Sequence, residues 1–263
     1  SLGELFETIA YEYTLPAAIR DGYLCPLKAL TLPLNIDLSG VKVAQGDFQA
    51  AALGSALDPY LEQIATLMLE HCHSRKTVVF LPLIATSQKF CRILNEKGLS
   101  AREVNGESDD RTEVLTDFHN GDFKVLCNSM LLTEGWDEPA VDCIVVLRPT
   151  KVRSLYAQMI GRGTRLYPGK ADLLILDFLW HTERHELCRP ASLVCTNSDL
   201  SGRVAEILAE ESQAGAVDLL ECADGAESSA QQEREEALRK ILEEQRKRKR
   251  MLVDPLQFEM SIG

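Results

Sequence analysis

The chain has 263 residues, 45% of them hydrophobic, with 40 acidic against 28 basic side chains and a formal charge of -12. That is enough apolar material for one large or two small cores, and an acidic total argues against a surface built to coat nucleic acid, though not against a narrow basic groove. The eight cysteines follow no framework spacing and several lie in apolar runs, as expected of reduced, buried thiols. The longest apolar run, Thr77 to Ala85, is a strand in length and not a membrane span. The N-terminus reads as lacking a signal peptide, so a cytoplasmic location is expected.

In chain order, residues 1–57 suggest a strand, a short helix, an Asp21-Gly22 turn and a second extended segment at about Cys25–Leu38. They hold too few apolar residues for a core of their own, so this part is expected to pack on something else. Asp58-Pro59 places a capping residue before a proline and predicts a helix running to about Cys72. From Lys76 to Phe178, short apolar runs alternate with helical patterns. Strands are expected at Thr77–Pro82, Ala101–Val104, Phe123–Asn128, Val141–Leu147 and Asp172–Asp177. Helices are expected near Thr86–Lys97, Asp109–Asn120 and Arg153–Ile160. Such alternation predicts a parallel sheet covered on both faces. Ser108 is placed to cap the helix that Asn120-Gly121 ends, and Lys97-Gly98 stops the one before it. Glu206–Ser229 reads as a linker or weak helix. Gln231–Arg250 reads as a helix, acidic at its start and basic at its end, in keeping with the helix dipole. Its basic run suits a solvated helix end, with nucleic-acid contact as the alternative.

Two stretches carry chemistry. In Gln158-Met-Ile-Gly-Arg162-Gly-Thr-Arg165, two arginines three apart project from one side of a helical turn, an arrangement that suits fork-like bonds to a polyphosphate. In Val125 to Pro139, a buried strand runs into a loop with Thr133, Gly135 and Asp137. Loops at the carboxyl ends of parallel strands are where such folds bind ligands. Thr133 could then bond a phosphate, Gly135 admit close approach, and Asp137 accept from a sugar hydroxyl or from the facing arginines. Trp136 suits packing against the neighbouring strand, or alternatively stacking on a base.

Taken together these stretches resemble the second, C-terminal RecA-like motor domain of superfamily 2 helicases, over about Thr77–Asp177. Thr77–Ser87 is similar to motif IV, Val125–Asp137 to motif V with its T-x-G-x-D core, and Gln158–Arg165 to motif VI, Q-x-x-G-R-x-x-R. The segment Tyr13 to Leu24 resembles, more loosely, the link between motor domains in helicases related to restriction-type DNA translocases. The resemblance implies an α/β, P-loop NTPase-type domain at 58–200, with an inter-domain link at 1–57 and an acidic linker and C-terminal helix at 201–263. It further implies Arg165 as an arginine finger on the γ-phosphate of ATP, with Arg162 and Gln158 in support. Gly135 and Asp137 would face the ribose, and Thr133, with Thr86 or Ser87, would touch the nucleic-acid backbone.

No G-x-x-x-x-G-K-[ST] occurs; the only Gly-Lys, Gly169-Lys170, is followed by Ala171. An acidic magnesium motif is also missing. ATP and Mg2+ are therefore expected to be held by a first RecA-like domain outside this chain, which makes the chain one half of a motor with DNA or RNA backbone as its other partner. The competing readings are a noncatalytic RecA-like scaffold and, weakly, a Rossmann-type enzyme, which lacks its glycine-rich turn here. His181, His185, Cys188 and Cys195 match no common zinc spacing, so no metal is expected. His71-Cys72-His73 reads as a helix end, and Asp177 as a structural cap.

Overall fold

The computed structural model describes residues 13–44, 47–129, 135–181, 187–195 and 197–252. Among them the chain forms α1 (Leu15–Arg20), β1 (Leu27–Asp37), β2 (Val43–Ala44), β3 (Asp47–Phe48) and α2 (Ala50–Leu57). A 3-10 turn (Asp58–Tyr60) leads to α3 (Leu61–Cys72), β4 (Thr77–Phe80), α4 (Ile84–Glu96), β5 (Ala101–Val104), α5 (Arg111–Asn120) and β6 (Val125–Asn128). Then follow β7 (Cys143–Val146), α6 (Arg153–Gly161), β8 (Leu173–His181), α7 (Ala191–Val194), α8 (Ser198–Glu211), β9 (Val217–Asp218) and α9 (Leu219–Leu252).

Seven strands form one sheet in the order β5-β6-β4-β7-β8-β1-β9. All neighbours are parallel except the short β9, which runs antiparallel to β1. The central strands are buried on both faces, so their side chains divide by alternation. Val79, Cys127, Val145 and Leu176 join the core beneath α2, α3 and α4. Val78, Phe80, Leu126, Ile144 and Ile175 join a second core beneath α5 to α9. This is the parallel sheet covered on both faces that the continuous apolar strands predicted, and the α/β class that the motif resemblance implied.

Several local expectations change. Leu27–Asp37 is a full strand of the sheet, paired with β8 from Leu27↔Leu173 to Asp37↔His181. Its partner lies well over a hundred residues away, so nothing local announces the pairing. Asp58 does not cap a helix: the chain enters it already helical from α2, and its carboxylate takes Lys89 Nζ at 2.7 Å. Ser108 does not cap α5 either; its hydroxyl accepts from Asn105 N at 3.0 Å. Gly121 ends α5 at φ 85, as the Asn-Gly pair predicted. Of the two options for 206–229, linker or weak helix, the helical one holds over most of the stretch, and Leu208, Leu219, Cys222, Ala223 and Ala226 close the second core. Its small residues hid that apolar face. Asp177 lies within β8 opposite Thr31 of β1 and is buried, so it is no cap. All eight cysteines are free thiols, and Cys72 at the end of α3 lies 3.6 Å from Cys143.

Candidate functional site

The site forms because two segments distant in sequence are folded against each other. The first is the loop between β6 and β7. Parallel strands must be entered from the same end, so the connection between these two, in which the described residues form no helix, has to travel back the length of the sheet. It leaves the carboxyl end of β6 at Asn128 and reaches β7 at Cys143. Thr133 and its immediate neighbours lie outside the described residues. Gly135 follows with φ 71, a left-handed backbone that glycine adopts without strain. Trp136 is buried, its ring 6.1 Å from that of Phe118 on α5. That packing takes the ring away from any base and pins the loop. Glu138, also buried, meets His119 at 2.8 Å and Lys76 at 3.3 Å. Between these two anchors Asp137 stays exposed.

The second segment is the end of α6 and the turn after it. Tyr156, Met159 and Ile160 bury one face of the helix, which leaves Gln158 on the exposed face one turn before Arg162. Gly163 is held tightly: a Cβ there would stand 2.5 Å from Leu173 Cδ1 and 3.0 Å from Ile144 Cδ1. Only glycine lets the backbone approach β7 and β8 so closely. The turn is stitched to the start of β1 by Cys25 N donating to Thr164 O at 2.8 Å and by a bridge between Leu24 and Arg165.

The arginines of this turn then meet the loop. Arg162 Nη1 donates to the Trp136 carbonyl at 2.8 Å. Arg165 pairs with Asp137, and both side chains keep substantial exposure, 43% and 60%. The structure therefore brings together Arg162, Arg165, Asp137 and, along the exposed side of α6, Gln158. It places them at the amino ends of β1, β7 and β8, around the edge of the sheet, and not at the carboxyl rim where the loop begins. The sequence shows where that loop starts; it does not show that the loop crosses to the opposite end.

Thr86 and Ser87 are not part of this group. They lie in the first turns of α4 near the carboxyl end of β4, and both are buried, at 7% and 0% exposure. The Thr86 hydroxyl faces Gly54 of α2. Neither side chain is open to solvent in this structure, and neither is joined to the arginine group. Two further residues of this region lack any signal of their own in the sequence. Lys170 donates to the carbonyls of Gly163, Arg165 and Pro139. Asp172 joins Lys28 and Arg75 at 3.0 and 2.9 Å. Burial alone would raise the Asp172 carboxyl, but the bonds from Lys28 and Arg75 outweigh it and hold its pKa below the ordinary value. Of the four possible zinc ligands, the His181 side chain and His185 lie outside the described residues, while Cys188 is half-buried and Cys195 buried.

A parallel sheet with helices on both faces, no phosphate-loop motif in its sequence, and a pair of arginines presented at one end of the sheet define a RecA-like domain. Residues 60–167 match the helicase conserved C-terminal domain. A Saccharomyces cerevisiae protein named as an ATP-dependent helicase is 31% identical over 76% of this chain and 30% of its own length. The Escherichia coli type I restriction enzyme EcoAI endonuclease subunit is 25% identical over 68% of this chain and 26% of its own. A fragment structure of a type I restriction enzyme subunit from Vibrio vulnificus superposes with a TM-score of 0.55 at 25% identity, over 66% of this chain and 36% of that one. The chain carries the C-terminal RecA-like domain of a superfamily 2 helicase. It spans about a third of the length of these relatives.

Proposed function

We propose that this domain is the second motor domain of an ATP-dependent DNA helicase or translocase, acting in the cytoplasm, and that it delivers Arg165 to the γ-phosphate of an ATP–Mg2+ held by a first RecA-like domain of the same protein. The observation that carries this reading is the state of Arg165. It is half-exposed, on a turn locked to the sheet, and its partner is a single exposed carboxylate. An exposed ion pair contributes only about 0–1 kcal/mol, so exchanging Asp137 for a triphosphate costs little. An arginine placed on the developing charge of a transferring phosphoryl group stabilises it by far more, on the order of 4 to 7 kcal/mol. Arg162, tethered through the Trp136 carbonyl, orients the same turn and adds positive charge. Gln158 lies on the exposed face of α6 that leads to it. Once Arg165 turns to phosphate, Asp137 and Gly135 are free to face the ribose. Thr133 is assigned to the nucleic-acid backbone on the motif alone. Such backbone contacts grip a strand without reading its sequence.

Because the phosphates and the arginine belong to different domains, hydrolysis requires closure, and closure is what moves the strand-gripping loop. The preference for DNA over RNA rests on the likeness to restriction enzyme subunits.

Steady-state ATP turnover of the full-length protein tests this. Arg165→Ala is expected to lower kcat on the order of 1,000-fold while nucleic-acid binding persists. The 263-residue chain alone is expected to turn over no ATP. Wild-type turnover by the Arg165→Ala protein would sink the reading.

A further inference from the structure

The turn that carries both arginines is held from beneath by a lysine to which the motif gives no role. Residues 167–170 make a tight reversal, closed by Lys170 N donating to Tyr167 O at 3.1 Å, with Gly169 at φ 82. The reversal brings Lys170 back under the segment it has just left. Its ammonium donates to Gly163 O at 2.5 Å, Arg165 O at 3.0 Å and Pro139 O at 3.2 Å. An ammonium has three donors and no acceptor, which matches the three carbonyls that converge on it, with the Cys25 thiol alongside. Two of them belong to the arginine turn: Gly163 follows Arg162, and Arg165 is the residue in question. The third lies two residues after Asp137. The group is half-buried, and desolvation pulls its pKa down against the opposing influence of Cys25, Asp142 and Asp172. Three converging carbonyl dipoles with that ammonium removed would repel one another at low local dielectric.

We propose that Lys170 is a positioning residue for phosphoryl transfer: it fastens the arginine turn to the loop bearing Asp137, so that both move as one rigid piece when the domains close. The inference rests on the reading of Arg165 given above. Lys170 itself touches no substrate.

The test is ATP turnover by the full-length protein with Arg165→Ala, Lys170→Met, Lys170→Gln and the Lys170→Met/Arg165→Ala pair, together with thermal melting of each. Lys170→Met removes every donor at nearly constant volume. It is expected to lower kcat by about 10- to 100-fold, the scale set by a misplacement of about 1 Å, with KM for ATP changed less than about threefold. The double variant is expected to be no slower than Arg165→Ala alone, because a misplaced arginine and a missing one are the same defect. A folded Lys170→Met protein with wild-type kcat overturns the proposal, as does a loss confined to KM or a double variant whose losses multiply. If Lys170→Met does not fold, Lys170→Gln, which keeps two N–H donors, is expected to show an intermediate kcat at unchanged melting temperature; a folded Gln variant with wild-type kcat overturns the proposal equally. Unchanged turnover in Arg165→Ala removes the reading of the arginine and the lysine's role with it. Loss in Arg165→Ala beside normal Lys170→Met removes the lysine's role alone.

Discussion

Gly163 shows how a single position can be both legible and opaque. The sequence places a glycine between two arginines; the structure shows it pressed against the protein's own sheet. Leu173 and Ile144, both fully buried, occupy the space a methyl would take. Gly163→Ala must push them aside in a filled core, which is expected to cost about 1–3 kcal/mol. Gly161 is the natural control, since nothing lies within 4 Å of its missing Cβ and it ends a helix. Gly161→Ala is expected to be neutral or slightly stabilising. Urea unfolding of the two variants side by side checks this; equal midpoints would mean that the turn is not wedged against the sheet. The pair Arg165–Asp137 is legible in the sequence as one of two options for Asp137. The burial of Thr86 and Ser87 is not legible, because a polar residue after a strand looks the same in sequence whether it is buried or exposed.

At the scale of elements, the strands and helices between Lys76 and Phe178 are readable because each carries its own signal: a run of apolar residues, or a helical period with a stop. What the sequence withholds is long-range pairing, as in β1, and the chemistry that pairing creates. Asp177 is the sharpest case. The apolar pattern places it at the end of a strand, yet nothing in the pattern reveals that β1 lies beside it in the same sheet. Enclosed by Thr31, Arg189, Ala191 and Leu208, it is almost wholly removed from water. Desolvation raises its pKa to about 7 from the ordinary 3.8, with Arg189 only partly opposing the shift. The folded chain thus keeps a proton between about pH 4 and pH 7 that the unfolded chain has lost. Stability contributed by this group accordingly falls as pH rises through that window and levels off above it. Asp177→Asn, which is neutral at every pH, is expected to flatten the slope and to melt higher than wild type at about pH 8. Melting curves across this range decide it; a slope that survives the substitution would assign the dependence to other groups.

For the whole molecule, the question is where the folded unit stops. Motif reading centres it on Thr77–Asp177, but the sheet takes β1 from before that span and β9 from after it, and both cores are closed by segments that carry no motif. On the C-terminal side the boundary falls inside one helix. The first turns of α9 bury Leu219, Cys222, Ala223 and Ala226 against α7 and α8. From Gln231 to Lys247 every residue is exposed, and Arg203–Glu233 is a surface pair. Hydrophobic burial contributes roughly 25 cal/mol per Å² of apolar surface, so the two halves of α9 differ in what their loss would cost. A chain ending at Ser229 keeps all four buried side chains and is expected to melt within a few degrees of the parent. A chain ending at Ala216 loses them, uncovers the second core over α7 and α8, removes β9 from the edge of β1, and is expected to lose several kcal/mol, enough to unfold a domain of ordinary stability. Thermal melting of the two truncations separates these outcomes. Similar melting temperatures for both would mean that the start of α9 only rests on the core and that the unit ends before it.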